Sequence, residues 1–183
     1  GTEVFLNTGT GKQINLTLNP DFGQAESDEV IVNFSAQETF YSEKRAFFNE
    51  NQSLFDLSHY DRYRIINTRR IGAASSYDCD ASSDKDRCND ARKNYTDIDF
   101  ALRYTQKNNN NDVGIFVAQE SDESFTKGKN FYALRSKSVV GKRSVGYFLT
   151  HVVDNFKNEK ATINVIDFTN VNSDKLTLYT DLL

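Results

Sequence analysis

Thr96-Asp97-Ile98-Asp99-Phe100-Ala101-Leu102-Arg103-Tyr104-Thr105 is the stretch that decides the fold class. Ile98, Phe100, Leu102 and Tyr104 fall on one side of an extended chain, and Asp97, Asp99, Ala101, Arg103 and Thr105 on the other. Successive side chains of a strand point to opposite faces, so alternation of this length predicts a strand with one oily and one wet row. The run Asn108 to Asn111 then predicts a turn, because asparagine tolerates left-handed backbone angles. Downstream the pattern recurs. Val113, Ile115 and Val117 precede a polar stretch from Gln119 to Lys129, and from Asn130 to Ser138 Phe131, Ala133 and Arg135 alternate with Tyr132 and Leu134. Gly141-Lys142 predicts a tight turn before Ser144 to Val153, where Val145, Tyr147 and Leu149 share a face. Ala161, Ile163 and Val165 repeat the pattern, and Leu176 and Leu178 begin a last strand after Asn172-Ser173-Asp174.

Strands near ten residues, joined by alternately tight and longer polar connections, predict an all-β, antiparallel up-and-down meander. Sandwich strands are usually shorter, about 5–6 residues. The length therefore favours a segment of an outer-membrane-type β-barrel. No apolar run approaches the roughly 18 residues of a spanning helix, but barrel strands need only about 10 alternating residues.

Upstream the sequence is less regular, and the chain reads as a single β-rich segment, 1–183, with an irregular part over 1–95 and the meander over 96–183. Val4 to Leu6 and Ile14, Leu16 and Leu18 predict a hairpin across Thr8-Gly9-Thr10-Gly11. Val30 to Phe34 and Tyr63 to Ile71 predict further strands. A short helix is expected near 36–48, where Glu38, Glu43, Lys44, Arg45 and Ala46 all accept helix. Residues 73–95 read as a long Ser/Asp-rich loop, and loops of that length are usually functional or disordered.

A hydrophobic content of 38% can support a core, while 26% charged residues and a mean hydropathy of −0.63 make the chain wetter than average. The net charge of −4 argues against a nucleic-acid partner, which needs a concentrated Lys/Arg surface. Gly1-Thr2-Glu3 opens the chain with no signal-peptide pattern, and methionine is absent, which predicts a processed or excised segment. Leu183 follows a strand with no closing signal, so further barrel strands or another chain are expected to cover the sheet edges. Cys79 and Cys88 lie close together in the polar loop and are disulfide candidates, which would place the loop in an oxidising envelope compartment; two free thiols are the alternative. His59 and His151 are scattered too widely for a zinc site.

Three stretches resemble a known family: Leu16-Thr17-Leu18-Asn19-Pro20-Asp21-Phe22-Gly23-Gln24-Ala25-Glu26-Ser27-Asp28, then Glu38-Thr39-Phe40-Tyr41-Ser42-Glu43-Lys44-Arg45-Ala46-Phe47-Phe48, and Thr68-Arg69-Arg70-Ile71-Gly72. In this order and spacing they are similar to the bacterial domain-of-unknown-function family 5916. The resemblance covers most of the chain and is weakest around Cys79. It implies the start of a β-rich region regarded as an outer-membrane barrel, which in family members usually follows a family-9-like carbohydrate-binding module. Ser42 and Ala46 stand where the family pattern tends to have proline, which loosens an expected turn. The resemblance supplies no catalytic residue.

Chemistry is sparse. Asp21, Glu26, Asp28 and Glu29 cluster, but their spacing matches no calcium loop and predicts a solvated or capping turn. Asp78, Asp80, Asp84, Asp86 and Asp90 interleave with Lys85, Arg87 and Arg92 and predict a self-neutralising surface loop. Glu38, Glu43, Arg45, Arg69 and Arg70 are candidates for an internal ion-pair network, in which Glu38 or Glu43 offsets Arg69 or Arg70; the alternative has them line a lumen or grip an anion. Neither histidine has a nucleophile motif around it. We therefore expect no catalytic residue, no metal, no cofactor and no enzyme activity. The expected protein is a bacterial outer-membrane component that meets lipid and is linked to carbohydrate through its parent chain. The alternative is a soluble β domain that binds glycans or supports a glycoside hydrolase. A lipid-facing barrel points Ile98, Phe100, Leu102, Tyr104, Val145, Tyr147 and Leu149 outward, whereas a soluble domain buries them.

Overall fold

The computed structural model describes residues 1–9, 11–20, 43–50, 52–59, 63–173 and 176–182. Ten strands occur among them: β1 (Thr2–Asn7), β2 (Lys12–Leu18), β3 (Ser58–His59), β4 (Tyr63–Arg64), β5 (Ile98–Lys107), β6 (Asn111–Glu120), β7 (Lys129–Val140), β8 (Arg143–Asp154), β9 (Glu159–Ser173) and β10 (Leu176–Leu182). Eight form one sheet in the order β1-β2-β5-β6-β7-β8-β9-β10, with β3 and β4 paired separately. Neighbours in the large sheet are all antiparallel, as an up-and-down meander requires. The sheet is open among the described residues, with β1 and β10 at its edges.

Its two ends differ. Residues 108–110 and 141–142 make short turns at the end of the sheet where β1 also passes to β2, and residues 121–128 and 155–158 connect strands at the other end, where β2 leaves for β5. Gly141 holds φ +59° in its two-residue turn, as the first position of a type II′ hairpin demands.

Register divides the side chains into two faces. Leu6, Ile14, Tyr104, Ile115, Leu134 and Leu149 lie side by side across six strands on the outer face. Asn15, Arg103, Phe116, Ala133 and Thr150 form the equivalent row on the inner face. Burial falls on the inner face, which mixes apolar residues such as Phe116, Phe148 and Val165 with polar ones. Arg103, Thr105, Arg135 and Asp167 are buried on the inner face, while Ile115, Val145 and Ile166 on the outer face remain 40–50% exposed.

The connection between β2 and β5 supplies the cover. It contributes α1 (Ala46–Asn49) and 3-10 turns at Gln52–Leu54 and Thr68–Arg70. Phe47, Phe48, Leu54, Phe55, Ile65 and Ile71 from this connection pack against Ala101, Phe116, Ala118, Ala133, Phe148 and Val165 of the sheet. The Phe55 ring sits 6.4 Å from that of Phe116 and 6.3 Å from that of Phe148. Small wall residues admit it. A Cβ at Gly114 would lie 2.6 Å from Phe55 Cζ and 2.8 Å from Leu54 Cδ2.

Several expectations change. Ile98 does not face outward with Phe100: the β5–β6 register shifts between them, and this bulge turns Ile98 inward, where it is buried. Ala161, Ile163 and Val165 pair with Val152, Thr150 and Phe148 on the inner face, so the outer row of β9 is Asn164, Ile166 and Phe168. Tyr63 to Ile71 is not one strand. After β4 the chain turns, because Asn67 Oδ1 accepts from Arg69 N–H at 3.2 Å and Arg45 takes the carbonyls of Thr68 and Ile71 that a ladder would need. Of the helix expected over 36–48, residues 36–42 lie outside the described residues, 43–45 are not helical (Arg45 is extended at φ −73°, ψ 122°), and the helix is the single turn α1 that begins at Ala46. The 73–95 loop contains α2 (Lys85–Asp90), N-capped by Asp84, whose side chain accepts from Arg87 N–H. The N-terminal hairpin joins the main sheet through β2–β5 pairing. Val30 to Phe34 and the Asp21, Glu26, Asp28, Glu29 cluster lie outside the described residues.

Candidate functional site

The inner face concentrates the buried charge. Glu43 and Arg45 form a fork: Arg45 Nε donates to Glu43 Oε1 and Nη2 to Glu43 Oε2, both at 2.8 Å. Arg45 Nη1 also donates to Ile71 O at 2.6 Å and Nη2 to Thr68 O at 2.8 Å, and its Cζ lies 4.2 Å from the Phe48 ring centroid. One guanidinium thus ties residues 43–48 to residues 68–71. Burial works against charge on Glu43, but Arg45 and the Thr68 hydroxyl outweigh it and hold the carboxyl below its ordinary range.

Arg103, on β5, fastens this assembly to the wall. It is 3% exposed, donates to Phe47 O at 2.5 Å and reaches Glu50 Oε2 at 3.2 Å, where Asn15 Nδ2 of β2 also donates. Desolvation pulls its guanidinium below the ordinary arginine range, with Glu50 partly offsetting. Phe48, Phe55, Phe116, Asn67 and Arg103 help to line a cavity of about 90 Å³ beside it. A larger groove, about 700 Å³, runs between Ile65 and Ile71 and the inner side of β7 to β9.

Further along the wall, Arg135 of β7 and Asp167 of β9 pair through both guanidinium nitrogens across β8. Their side chains are 5% and 8% exposed. Gly146 lies between them in register, opposite Lys137 and Asp167. Its missing side chain makes room: a Cβ there would meet Asp167 Oδ2 and both terminal nitrogens of Arg135. Arg135 also lies over the Phe148 ring at 5.6 Å, while its Nε has no hydrogen-bond partner among the described residues.

Glu120 closes the end with the long connections. Its two oxygens accept from Gly72 N–H and Lys129 N–H, each at 2.9 Å. Burial pushes this carboxyl above its ordinary range, with the two backbone donors and Lys129 opposing and Asp154 adding to the rise. Above it sits the cap formed by residues 73–97, closed by a Cys79–Cys88 disulfide with both sulfurs' residues buried. Thr126 Oγ1 donates to Ser76 O, and Lys93 bridges Asp97 and Glu123, which fixes the cap to the β6–β7 connection.

The candidates from the sequence are thus distributed unevenly. Glu43 and Arg45 meet each other. Arg69 is half-buried in the Thr68–Arg70 turn and Arg70 is exposed there, while Glu38 lies outside the described residues. Within the acidic loop, Asp84 serves as helix cap and Asp78 Oδ1 accepts from Ala81 N–H. No group of three or more His, Cys, Asp or Glu is placed to hold a metal among the described residues. His151 contacts Thr162 Oγ1 at 2.7 Å on the outer face. Sequence reasoning missed Arg103, Glu120, Arg135 and Asp167. The available signal was charge inside otherwise regular strands, since a charge in an enclosed row requires a partner.

A family profile described as a domain of unknown function, DUF5916, matches residues 13–177, from β2 into β10. The chain belongs to the DUF5916 family. The match includes Glu43, Arg45, Arg103, Glu120, Arg135 and Asp167, so these buried charge clusters all lie within the DUF5916 region. No curated protein matches the chain, and no solved structure does. Chemically, the buried carboxylates of this DUF5916 chain are engaged by guanidinium or backbone donors, an arrangement suited to holding an inserted segment against a wall.

Proposed function

We propose that this chain is a non-enzymatic segment of a bacterial outer-membrane β-barrel, with the outer face of the sheet toward lipid and the inner face toward a lumen that residues 43–97 occupy. Its role is uptake, or display of a carbohydrate-binding module on the parent chain. One observation carries the reading: the row that the chain encloses contains Arg103, Arg135 and Asp167, while the row left open contains Ile115, Val145, Tyr147 and Ile166. A protein in water gains by burying the apolar row, at about 25 cal/mol per Å². The enclosed face does bury an apolar core, with Phe116, Phe148 and Val165 beside those charges, but leaving a second apolar row open is favourable where the surroundings are hydrocarbon. Strands β5 to β8 are 10 to 12 residues long, enough to cross tilted. The two longer connections, β2 to β5 and β6 to β7, leave the same end of the sheet, in keeping with the asymmetry of such barrels.

The chain has no tryptophan, so a single introduced indole reports without background. Leu134→Trp on the outer face and Phe116→Trp on the inner face are compared in vesicles containing brominated lipid. Strong quenching at position 134 and little at 116 is the expected result. Equal quenching, or a monodisperse protein that stays in water without detergent, rejects the membrane reading and returns the soluble glycan-binding domain.

A further inference from the structure

The cavity beside Arg103 lies between the inner face of β5 and β6 and the segment that covers it, so it does not depend on what meets the outer face. We propose that it binds a small zwitterion, an α-amino acid with a short apolar side chain. Arg103 holds the ligand's carboxylate, and Glu50 and Asp56 hold its ammonium group.

Arg103 is the anchor. Of the five N–H donors of a guanidinium, one on Nη1 goes to Phe47 O and one on Nη2 goes to Glu50 Oε2, and three remain without an acceptor among the described residues. The Nε donor is one of the three, on a side chain that is almost wholly buried. The Phe47 carbonyl fixes one corner of the fork, and the Phe47 ring lies 5.1 Å from Cζ, so the donors are held in place before any ligand arrives. A buried donor with no acceptor is costly, and a carboxylate answers two such donors at once.

A plain anion does not suit the other walls, because Glu43, Glu50 and Asp56 line the same cavity. Glu43 is committed to Arg45 and Thr68. Glu50 is not: the donors from Asn15 and Arg103 both go to Oε2, which leaves Oε1 open among the described residues. Asp56 is exposed at the rim. These two carboxylates repel an anion at Arg103 unless the same molecule brings them a cation. A plain cation fails for the converse reason, with Arg103 in the floor. Phe48, Phe55, Phe116 and Ile66 supply the apolar part of the lining. Such walls offer water no partner and accept an aliphatic side chain. The volume of about 90 Å³ limits its length. One water needs about 10–15 Å³ of the same space, so a molecule of valine's size suits the cavity and a peptide or oligosaccharide does not.

The test is equilibrium dialysis of radiolabelled L-valine against the purified chain, with competitors. We expect saturable binding that unlabelled valine displaces. Isovalerate, which lacks the ammonium group, and isobutylamine, which lacks the carboxylate, should each compete at least about tenfold more weakly than valine. Asp56→Asn and Glu50→Gln, each with an unchanged circular dichroism spectrum, should weaken valine at least about tenfold and leave isovalerate unaffected. If a variant does not fold, the competition on the parent protein still decides. Absence of saturable valine binding overturns the proposal. Isovalerate competing as well as valine overturns it in favour of a carboxylate site without an ammonium subsite. Glucose competing as well as valine overturns it in favour of a neutral polyol. Valine binding that both carboxylate variants leave unchanged overturns it too, because the ligand then sits elsewhere.

Discussion

Replacing Gly146 by alanine tests whether the wall is built around its buried charge. Gly146 lies on β8 between Arg135 and Asp167, whose side chains are 5% and 8% exposed. In an extended strand with no special backbone angle, Gly→Ala ordinarily stabilises by about 0.4–1 kcal/mol through the unfolded chain. Here the new methyl lands on Asp167 Oδ2 and within 2.5 and 2.7 Å of Arg135 Nη1 and Nη2. Either the fork opens or the strands shift, and overpacking of this kind costs about 1–3 kcal/mol. Asp167→Ala alone strands a buried guanidinium and should cost about 3–5 kcal/mol. In that background the methyl no longer meets the carboxylate, so Gly146→Ala should lose most of its cost, a coupling of about 0.5–3 kcal/mol. Urea midpoints and slopes of the four proteins, measured in one detergent, give the cycle. If Gly146→Ala is neutral or stabilising, or if the two costs simply add, the glycine is not there for the ion pair.

Two further outcomes follow from the same face. Glu120 and Glu43 should tilt stability with pH in opposite senses. The Glu120 carboxyl is raised by burial, so its contribution is full below the unfolded carboxylate value and is lost as pH rises through its folded value. Glu43 is held low by Arg45, so its contribution is present above the unfolded value and is lost as pH falls through its folded value. Glu120→Gln should flatten the decline on the alkaline side while losing about 1 kcal/mol of hydrogen bonding, and urea midpoints across the acid-to-neutral range would expose an unchanged slope. Replacing Cys79 and Cys88 by serine should cost about 2–3 kcal/mol by the loop-entropy estimate. The loss should be confined to the cap, with faster amide exchange in α2 and none in β7 or β8; faster exchange throughout the sheet would show that the cap is not a separate unit.

The strands were legible because alternation is a local property. Tyr104 and Arg103 declare opposite faces whatever surrounds them, and Gly141-Lys142 declares a turn by backbone angle alone. The disulfide candidates were legible from separation within one loop. The pairing of Arg135 with Asp167 was not, since it depends on β7, β8 and β9 lying in one particular register across 32 residues of chain. Nor was the fate of Tyr63 to Ile71, which has strand composition but loses its acceptors to Arg45 from a distant segment.

The sequence by itself determined that there is an antiparallel meander with one oily and one wet row. It also set the strand lengths and where the chain turns. Only the tertiary structure decided which row is enclosed, because period-two alternation is symmetric between inside and outside. That symmetry is broken by Phe47, Phe48, Leu54, Phe55, Ile65 and Ile71, which pack on the face bearing Arg103 and Arg135, while among the described residues the opposite face keeps Ile115, Val145 and Ile166 exposed. It also decided the place of Ile98, since a single bulge reverses a side chain that strict alternation assigns to the other face.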